Sequence, residues 1–253
     1  MTKLLTLTDS HCHLFREYFD NIDSIITNAK NNEVNKIIVN ATNLDNFLEV
    51  INLSKKYKEV FAAIGFQPED LNDDTIDILS EIEKHIPEII AIGEIGLDYY
   101  NEFSPRDLQK LIFDKEMELA EKYNKPVIIH SRDAFEDTVS IIKRYPSVKG
   151  VIHCFTGSLD EAREYVKLGY KLGIGGIVTF KTSSLLEIVK EIGLENIVLE
   201  TDSPYLAPTP KRGKVNEPSY LVYTAKFLSD NLNFSLEELA RVTESNIKQI
   251  FDI

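Results

Sequence analysis

A chain of 253 residues, 43% hydrophobic and 27% charged, has the material for one large α/β domain and holds no apolar run long enough for a transmembrane helix. Its formal net charge of −13 excludes a broad basic face of the kind that coats duplex DNA. Any contact with nucleic acid must be local and carried partly by something other than Lys and Arg, and divalent cations would serve. Two cysteines, Cys12 and Cys154, give no disulfide framework. With no signal-peptide pattern, the expectation is a soluble, cytoplasmic protein with no obligate protein partner.

Short β-branched apolar runs alternate along the chain with longer amphipathic stretches. Strands are expected at residues 4–8, 36–40, 60–66, 89–93, 127–130, 150–153, 170–173 and 197–200. Their near-continuous Val/Ile/Leu character suits parallel strands buried on both faces. Eight of them, each followed by a helical pattern, predict a (β/α)8 TIM barrel as a single domain over 1–253. An open doubly wound sheet is the runner-up, but Gly173-Ile174-Gly175-Gly176 lacks the spacing of a dinucleotide fingerprint.

Helix signals fall between the strands. Ser104 and Pro105 read as a cap and first helical residue, with Leu108, Leu111, Ile112 and Leu119 on one face. Ser158 with Glu161, Ser184 with Glu187 and Ser235 with Glu238 have capping-box spacing. Gly169 and Gly193 mark helix ends. Residues 235–251 read as an extra C-terminal helix closing the barrel's outer layer. The longest stretch without an element, 203–217, follows the eighth strand, where long loops are usually functional.

Four of the five histidines, His11, His13, His130 and His153, fall at or just past expected strand ends, where such barrels place their active sites. His85 reads as an ordinary helix residue. Glu94 and Asp202 end the fourth and eighth strands, and an acid there is costly unless paired or coordinated. Glu200 reads as a companion or pairing residue. Four imidazoles and two carboxylates exceed the needs of one zinc and suit two adjacent divalent ions. Strand alternation turns Cys12 and Cys154 away from this set as packing residues.

These residues lie in motifs that resemble the TatD-type metal-dependent deoxyribonucleases of the amidohydrolase superfamily. The motifs are Asp9-Ser10-His11-Cys12-His13, Gly93-Glu94-Ile95-Gly96-Leu97-Asp98-Tyr99 and Ile129-His130-Ser131-Arg132-Asp133-Ala134. They continue with His153-Cys154-Phe155-Thr156-Gly157, Glu200-Thr201-Asp202-Ser203-Pro204-Tyr205-Leu206 and Arg212-Gly213-Lys214-Val215-Asn216-Glu217-Pro218, in family order over essentially the whole chain. The resemblance implies one metal held by His11, His13, Glu94 and Asp202, and a second held by Glu94, His130 and His153, with Glu94 bridging. It implies catalytic roles for Glu94 and for Asp202, which would orient or deprotonate the attacking water. The ions would be Mg²⁺, Mn²⁺ or Zn²⁺. One departure stands out: where the family commonly has Gly-x-His-Pro, this chain has Gly65-Phe66-Gln67-Pro68, and Gln67 suits a phosphate contact better than a metal.

Arg132 reads as a phosphate clamp, because guanidinium presents a planar fork to two oxygens, or else as the partner of Asp133 or Glu136. Lys211, Arg212 and Lys214 are local basic residues, either phosphate-facing or merely solvated. Tyr99, Tyr100, Phe155 and Tyr205 are candidates to stack an unpaired base. The implied activity is hydrolysis of DNA, as a 3′→5′ exonuclease favouring single-stranded ends. The alternatives are a metal-dependent ester or amide hydrolase, such as an aminoacyl-tRNA deacylase, and a non-catalytic metal-binding module.

Overall fold

The computed structural model describes residues 5–253 apart from Asp73 and Glu102. Eight parallel strands run in sequence order around a barrel: β1 (Leu7–Cys12), β2 (Val34–Asn40), β3 (Val60–Ile64), β4 (Ala91–Asp98), β5 (Val127–Arg132), β6 (Gly150–Ile152), β7 (Lys171–Ile174) and β8 (Ile197–Leu199). This is the expected single-domain TIM barrel. β8 meets β1 through a bridge between Cys12 and Ser203, and His13 N–H donates to Ser203 O at 2.8 Å. Asp9, buried in β1, reinforces the closure by accepting from the Thr201 N–H at 2.9 Å and its hydroxyl at 2.5 Å.

Two strands differ from expectation. The first was expected over 4–8, and Leu4 lies outside the described residues; β1 instead carries Thr8, Asp9, Ser10 and His11 through a fully buried position. β4 passes Gly93 and continues to Asp98. Gly96, at φ 132°, makes this possible, because a Cβ there would sit 2.0 Å from the His130 carbonyl oxygen.

The apolar interior divides in two. One cluster fills the space between barrel and helices. The other lies inside the barrel: Ile38, Ala63, Ala91, Ile128, Val151 and Val198 pack with Ile247 and Phe251 of the last helix, Leu236–Phe251. That helix was expected in the outer layer, yet it also stoppers the barrel at the strand starts. Asn246 Nδ2 donates to Leu194 O at 2.8 Å and Ile197 O at 2.7 Å, and Lys36 pairs with Glu244 at 3.1 Å. The end remote from the strand tips is thus sealed by apolar packing, which leaves the carboxyl ends as the open face.

Local signals held unevenly. Ser158 and Glu161 form a capping box, and Ser235 accepts from the Glu238 N–H. Ser184 makes no cap. Ser104 donates to Leu71 O, leaving Pro105 as the cap of the Arg106–Tyr123 helix. That helix buries Gln109, Ile112, Phe113, Glu116, Met117 and Ala120, while Leu111 faces outward. Among the described residues no helix is long and apolar enough to cross a membrane.

Candidate metal centre

The barrel brings His11, His13, Glu94, His130, His153 and Asp202 into one cluster at its carboxyl end. His11 lies on β1 and His13 just past it, and their Nε2 atoms stand 3.2 Å apart. Glu94 comes from the interior of β4 and is almost completely buried. His130 rises from β5 and His153 follows β6. Asp202 follows β8 with φ 55°, a left-handed conformation costly to a residue with a Cβ and found often at functional sites.

Glu94 organises the cluster. Its Oε2 lies 3.4 Å from His11 Nε2 and 3.5 Å from His13 Nε2. Its Oε1 lies 3.0 Å from His153 Nε2 and 3.1 Å from His130 Nδ1. Asp202 Oδ1 completes the first side, 3.7 Å from both His11 and His13. His11, Glu94 and His153, and likewise His11, His13 and Asp202, each present ligand atoms within 4.8 Å of one another.

Hydrogen bonds fix which nitrogen faces inward. His13 Nδ1 donates to the Asn40 carbonyl at 3.0 Å, which leaves the Nε2 lone pair directed at Glu94. His130 is held the other way round, with Nε2 donating to Asp98 Oδ2 at 2.9 Å and Nδ1 turned to the cluster. Asp98 is itself pinned by the N–H groups of Tyr100 at 2.9 Å and Asn101 at 3.0 Å. Glu94 Oε2 has no hydrogen-bond partner although it is buried. Lone pairs from imidazole and carboxylate converging on one dry point repel each other unless a cation lies between them. The donor set therefore fits divalent metal of the kind that accepts nitrogen and oxygen ligands.

The titration of His11 and Glu94 agrees. Burial pushes His11 well below the ordinary histidine range, which keeps it neutral as a ligand must be. Burial opposes ionisation of Glu94, but the surrounding imidazoles, His153 foremost, outweigh it and hold the carboxyl well below its usual range. Burial would lower His130, and hydrogen bonds to Asp98 and Glu94 override it and raise the group to about 10. The field that holds a second proton on His130 also draws a metal cation to the same nitrogen, and ligation displaces the proton. Burial, then the charge of Glu94, pushes Asp202 well above the carboxylate range.

Glu200 is fully buried, and its Oε1 accepts from the Cys154 N–H at 2.6 Å, supporting the turn that carries His153. Gly173 makes room for it, since a Cβ there would meet Glu200 Oε2 at 2.1 Å. Cys12 packs as expected, donating its thiol to Ile38 O at 3.6 Å. Cys154 lies past the end of β6, with φ 45°. Burial, and then the charges of Asp202, Glu200 and Glu94, push its thiol well above the ordinary range.

Two cavities lie near the cluster, one lined by residues that follow His130 and His153 in the chain and the other by His13 itself. One, of about 800 Å³, is lined by Tyr100, Arg132 and Phe155 among others. Arg132 lies over the Tyr100 ring at 3.9 Å, and among the described residues no carboxylate pairs with it. The second, of about 540 Å³, opens beside His13 and is walled by Gln67, Tyr18 and Tyr205. Tyr99 and Phe155 are committed to packing, Tyr99 through its hydroxyl to Asp137 and Phe155 through burial. Arg212 lies over Phe180 and donates to Ala207 O, and neither it nor Lys214 lines either cavity. Asp98 and Tyr18 escaped the sequence reading. The motif around Glu94 holds the signal for Asp98, an acid buried in an apolar strand four residues further on.

A parallel barrel gathering imidazoles and carboxylates at the carboxyl ends of its strands defines a class, the metal-dependent hydrolases of TIM-barrel fold. Within that class the TatD related DNase family model matches residues 8–252, and the chain belongs to that family. It is 41% identical to the uncharacterized metal-dependent hydrolase YabD of Bacillus subtilis, over 98% of this chain and 99% of the relative. The crystal structure of YjjV, a TatD homologue from Escherichia coli K12, superposes with a TM-score of 0.92 at 30% identity, covering 99% of this chain and 100% of the other. A TatD family hydrolase from Entamoeba histolytica gives a TM-score of 0.87 at 26% identity, with 99% of each chain covered.

Proposed function

We propose that this metal-dependent hydrolase cleaves phosphodiester bonds of DNA, as a 3′→5′ exonuclease that favours single-stranded ends and works in the cytoplasm. The observation that carries the two-metal part is the division of Glu94, with one oxygen toward His11 and His13 and the other toward His130 and His153. In this reading His11, His13, Glu94 and Asp202 hold one divalent ion, and Glu94, His130 and His153 hold the other. Mg²⁺, Mn²⁺ and Zn²⁺ all suit the ligand set. When bound, the ions neutralise charge developing on the phosphoryl oxygens and make the attacking water more acidic.

The protein's own groups do the rest. The water oxygen forms a bond to phosphorus and the P–O3′ bond breaks. Asp202, whose side chain is 13% exposed at the mouth of the cluster, takes the proton the water gives up, and the departing 3′ oxygen takes one in return. Asp98 keeps His130 turned toward the phosphate site. Arg132, without a carboxylate partner among the described residues, is available to a neighbouring phosphate. The free thiols of Cys12 and Cys154 accord with a reducing compartment.

The test is a side-by-side assay of metal-stripped protein reloaded with each ion, on single-stranded DNA, duplex DNA, RNA and an aminoacyl ester. The expected result is metal-dependent turnover, greatest on single-stranded DNA. Full activity in excess chelator after verified metal removal would reject the mechanism. Hydrolysis of the ester alone would move the activity to the ester or amide class.

A further inference from the structure

The two cavities beside the metal centre differ in what they offer a strand. The His130 side has Arg132, in a wall that also carries Asp133, Glu136, Asp137 and Glu161. Among the described residues the His13 side has neither Lys nor Arg, while Glu17, Asp45, Glu49, Glu69 and Asp70 line it. It also has an aromatic wall that other packing does not cover. Tyr18 is 38% exposed and Tyr205 50%. Their rings stand 6.0 Å apart at 67°, their hydroxyls bond at 3.1 Å, and the Tyr205 ring lies 6.3 Å from that of His13. Gln67 adds an amide that both donates and accepts.

We infer that the His13-side cavity is the subsite for the terminal nucleoside of the strand, and that it admits an end bearing a free 3′ hydroxyl and excludes one bearing a phosphate. This rests on the phosphodiesterase reading above. Breaking the P–O3′ bond of the last linkage leaves the phosphate on the released nucleotide, so the base and sugar of that nucleotide lie on one side of the scissile phosphorus and the remaining strand, now ending in a 3′ hydroxyl, on the other. The remaining strand brings a further phosphate with each nucleotide, and so belongs in the cavity that offers a guanidinium. Beyond the scissile phosphate, the released nucleotide brings only a base and a sugar. A base gains from stacking on an exposed tyrosine pair, as it does in single-strand binders. A sugar hydroxyl can donate to carboxylates. A 3′ phosphate would add about 1.5 to 2 negative charges against the five carboxylates Glu17, Asp45, Glu49, Glu69 and Asp70 with no Lys or Arg in the wall, whereas Arg132 offsets part of the acidity of the other cavity.

The experiment compares kcat/KM of the metal-loaded enzyme on one single-stranded oligonucleotide carrying a 3′ hydroxyl, a 3′ phosphate or a 5′ phosphate. The 3′ phosphate is expected to slow turnover at least tenfold, the 5′ phosphate to have no effect, and the discrimination to shrink as salt screens it. Glu69→Gln combined with Asp70→Asn should lower the ratio of hydroxyl-end to phosphate-end rates at least threefold. Tyr205→Ala should raise KM for the hydroxyl-end strand more than it lowers kcat. Equal wild-type rates on the two 3′ ends would overturn the subsite while leaving the nuclease reading intact. Sensitivity to the 5′ phosphate instead would reverse the strand and overturn it as well. Absence of cleavage on every DNA end would remove both the subsite and the nuclease reading.

Discussion

Glu94 serves two pairs of imidazoles with one carboxylate, so its charge and its shape can be separated by mutation. Glu94→Gln keeps the shape and replaces one oxygen with a donor aimed at nitrogens that need a cation. The expected loss is at least about 100-fold in kcat/KM, with bound metal per chain falling in parallel and the circular dichroism spectrum unchanged. Activity within a few-fold of the parent would make Glu94 a structural acid. Asp98 acts one step back, by holding the His130 ring. Asp98→Asn should weaken metal affinity by about 10- to 100-fold, as loss of a ligand's hydrogen-bonded support generally does, and excess metal should restore much of the rate. Failure of added metal to restore any rate would assign Asp98 a role other than positioning. The six central residues were legible because histidine is rare in this chain and four of five sit where strands end. Asp98 and Tyr18 were not, because each works through a neighbour distant in sequence. Asp98 reaches His130 only because β4 and β5 pair with Gly96 opposite His130, and Tyr18 finds its partner 187 residues away.

At the scale of elements, the apolar runs located all eight strands and misplaced the bounds of β1 and β4. β1 is built of Thr8, Asp9, Ser10 and His11, and the burial of Thr8 and Asp9 is offset by partners on other elements, Glu244 and Thr201. A hydropathy pattern cannot anticipate a strand whose burial is secured by its neighbours' hydrogen bonds. The Arg106–Tyr123 helix shows the same effect, because its buried face includes Gln109 and Glu116 in addition to apolar residues. Glu116 Oε1 accepts from the Phe66 N–H at 2.7 Å, while Oε2 is buried without a partner. Burial therefore raises its pKa well above the ordinary glutamate value of 4.5. The folded state holds this proton more tightly than the unfolded chain, so the contribution of Glu116 is complete below about pH 4.5 and is lost as pH climbs toward the raised folded value. Glu116→Gln keeps the acceptor for Phe66 and removes the ionisation. It should raise Tm at pH 8 relative to the parent and flatten the decline in Tm between pH 5 and pH 8. A parallel shift of Tm at all pH values would show that Glu116 is not the titrating group.

For the whole molecule, a net charge of −13 sets the terms on which a polyanion approaches. Long-range attraction is absent, so affinity must come from metal contact at the cleaved linkage, stacking on exposed rings and the few cations that face the site. Of the candidates, Arg132 faces a cavity, whereas Arg212 is occupied by Phe180 and Ala207, and Lys211 lies over Tyr220 and Tyr223. One to three phosphates neutralised at about −0.7 per phosphate give a slope of log K against log salt of roughly −1 to −2 for a single strand. The measurement is binding of an oligonucleotide with a non-hydrolysable terminal linkage, across a salt series at fixed metal concentration. Arg132→Ala should flatten the slope by roughly 0.7 while leaving stacking intact, and Arg212→Ala should leave the slope unchanged. A slope as steep as about −7 would require some ten phosphate contacts. So extended a basic track would have to be assembled from a second copy of the chain or another cationic partner, because among the described residues Arg132 alone of the lysines and arginines lines either cavity.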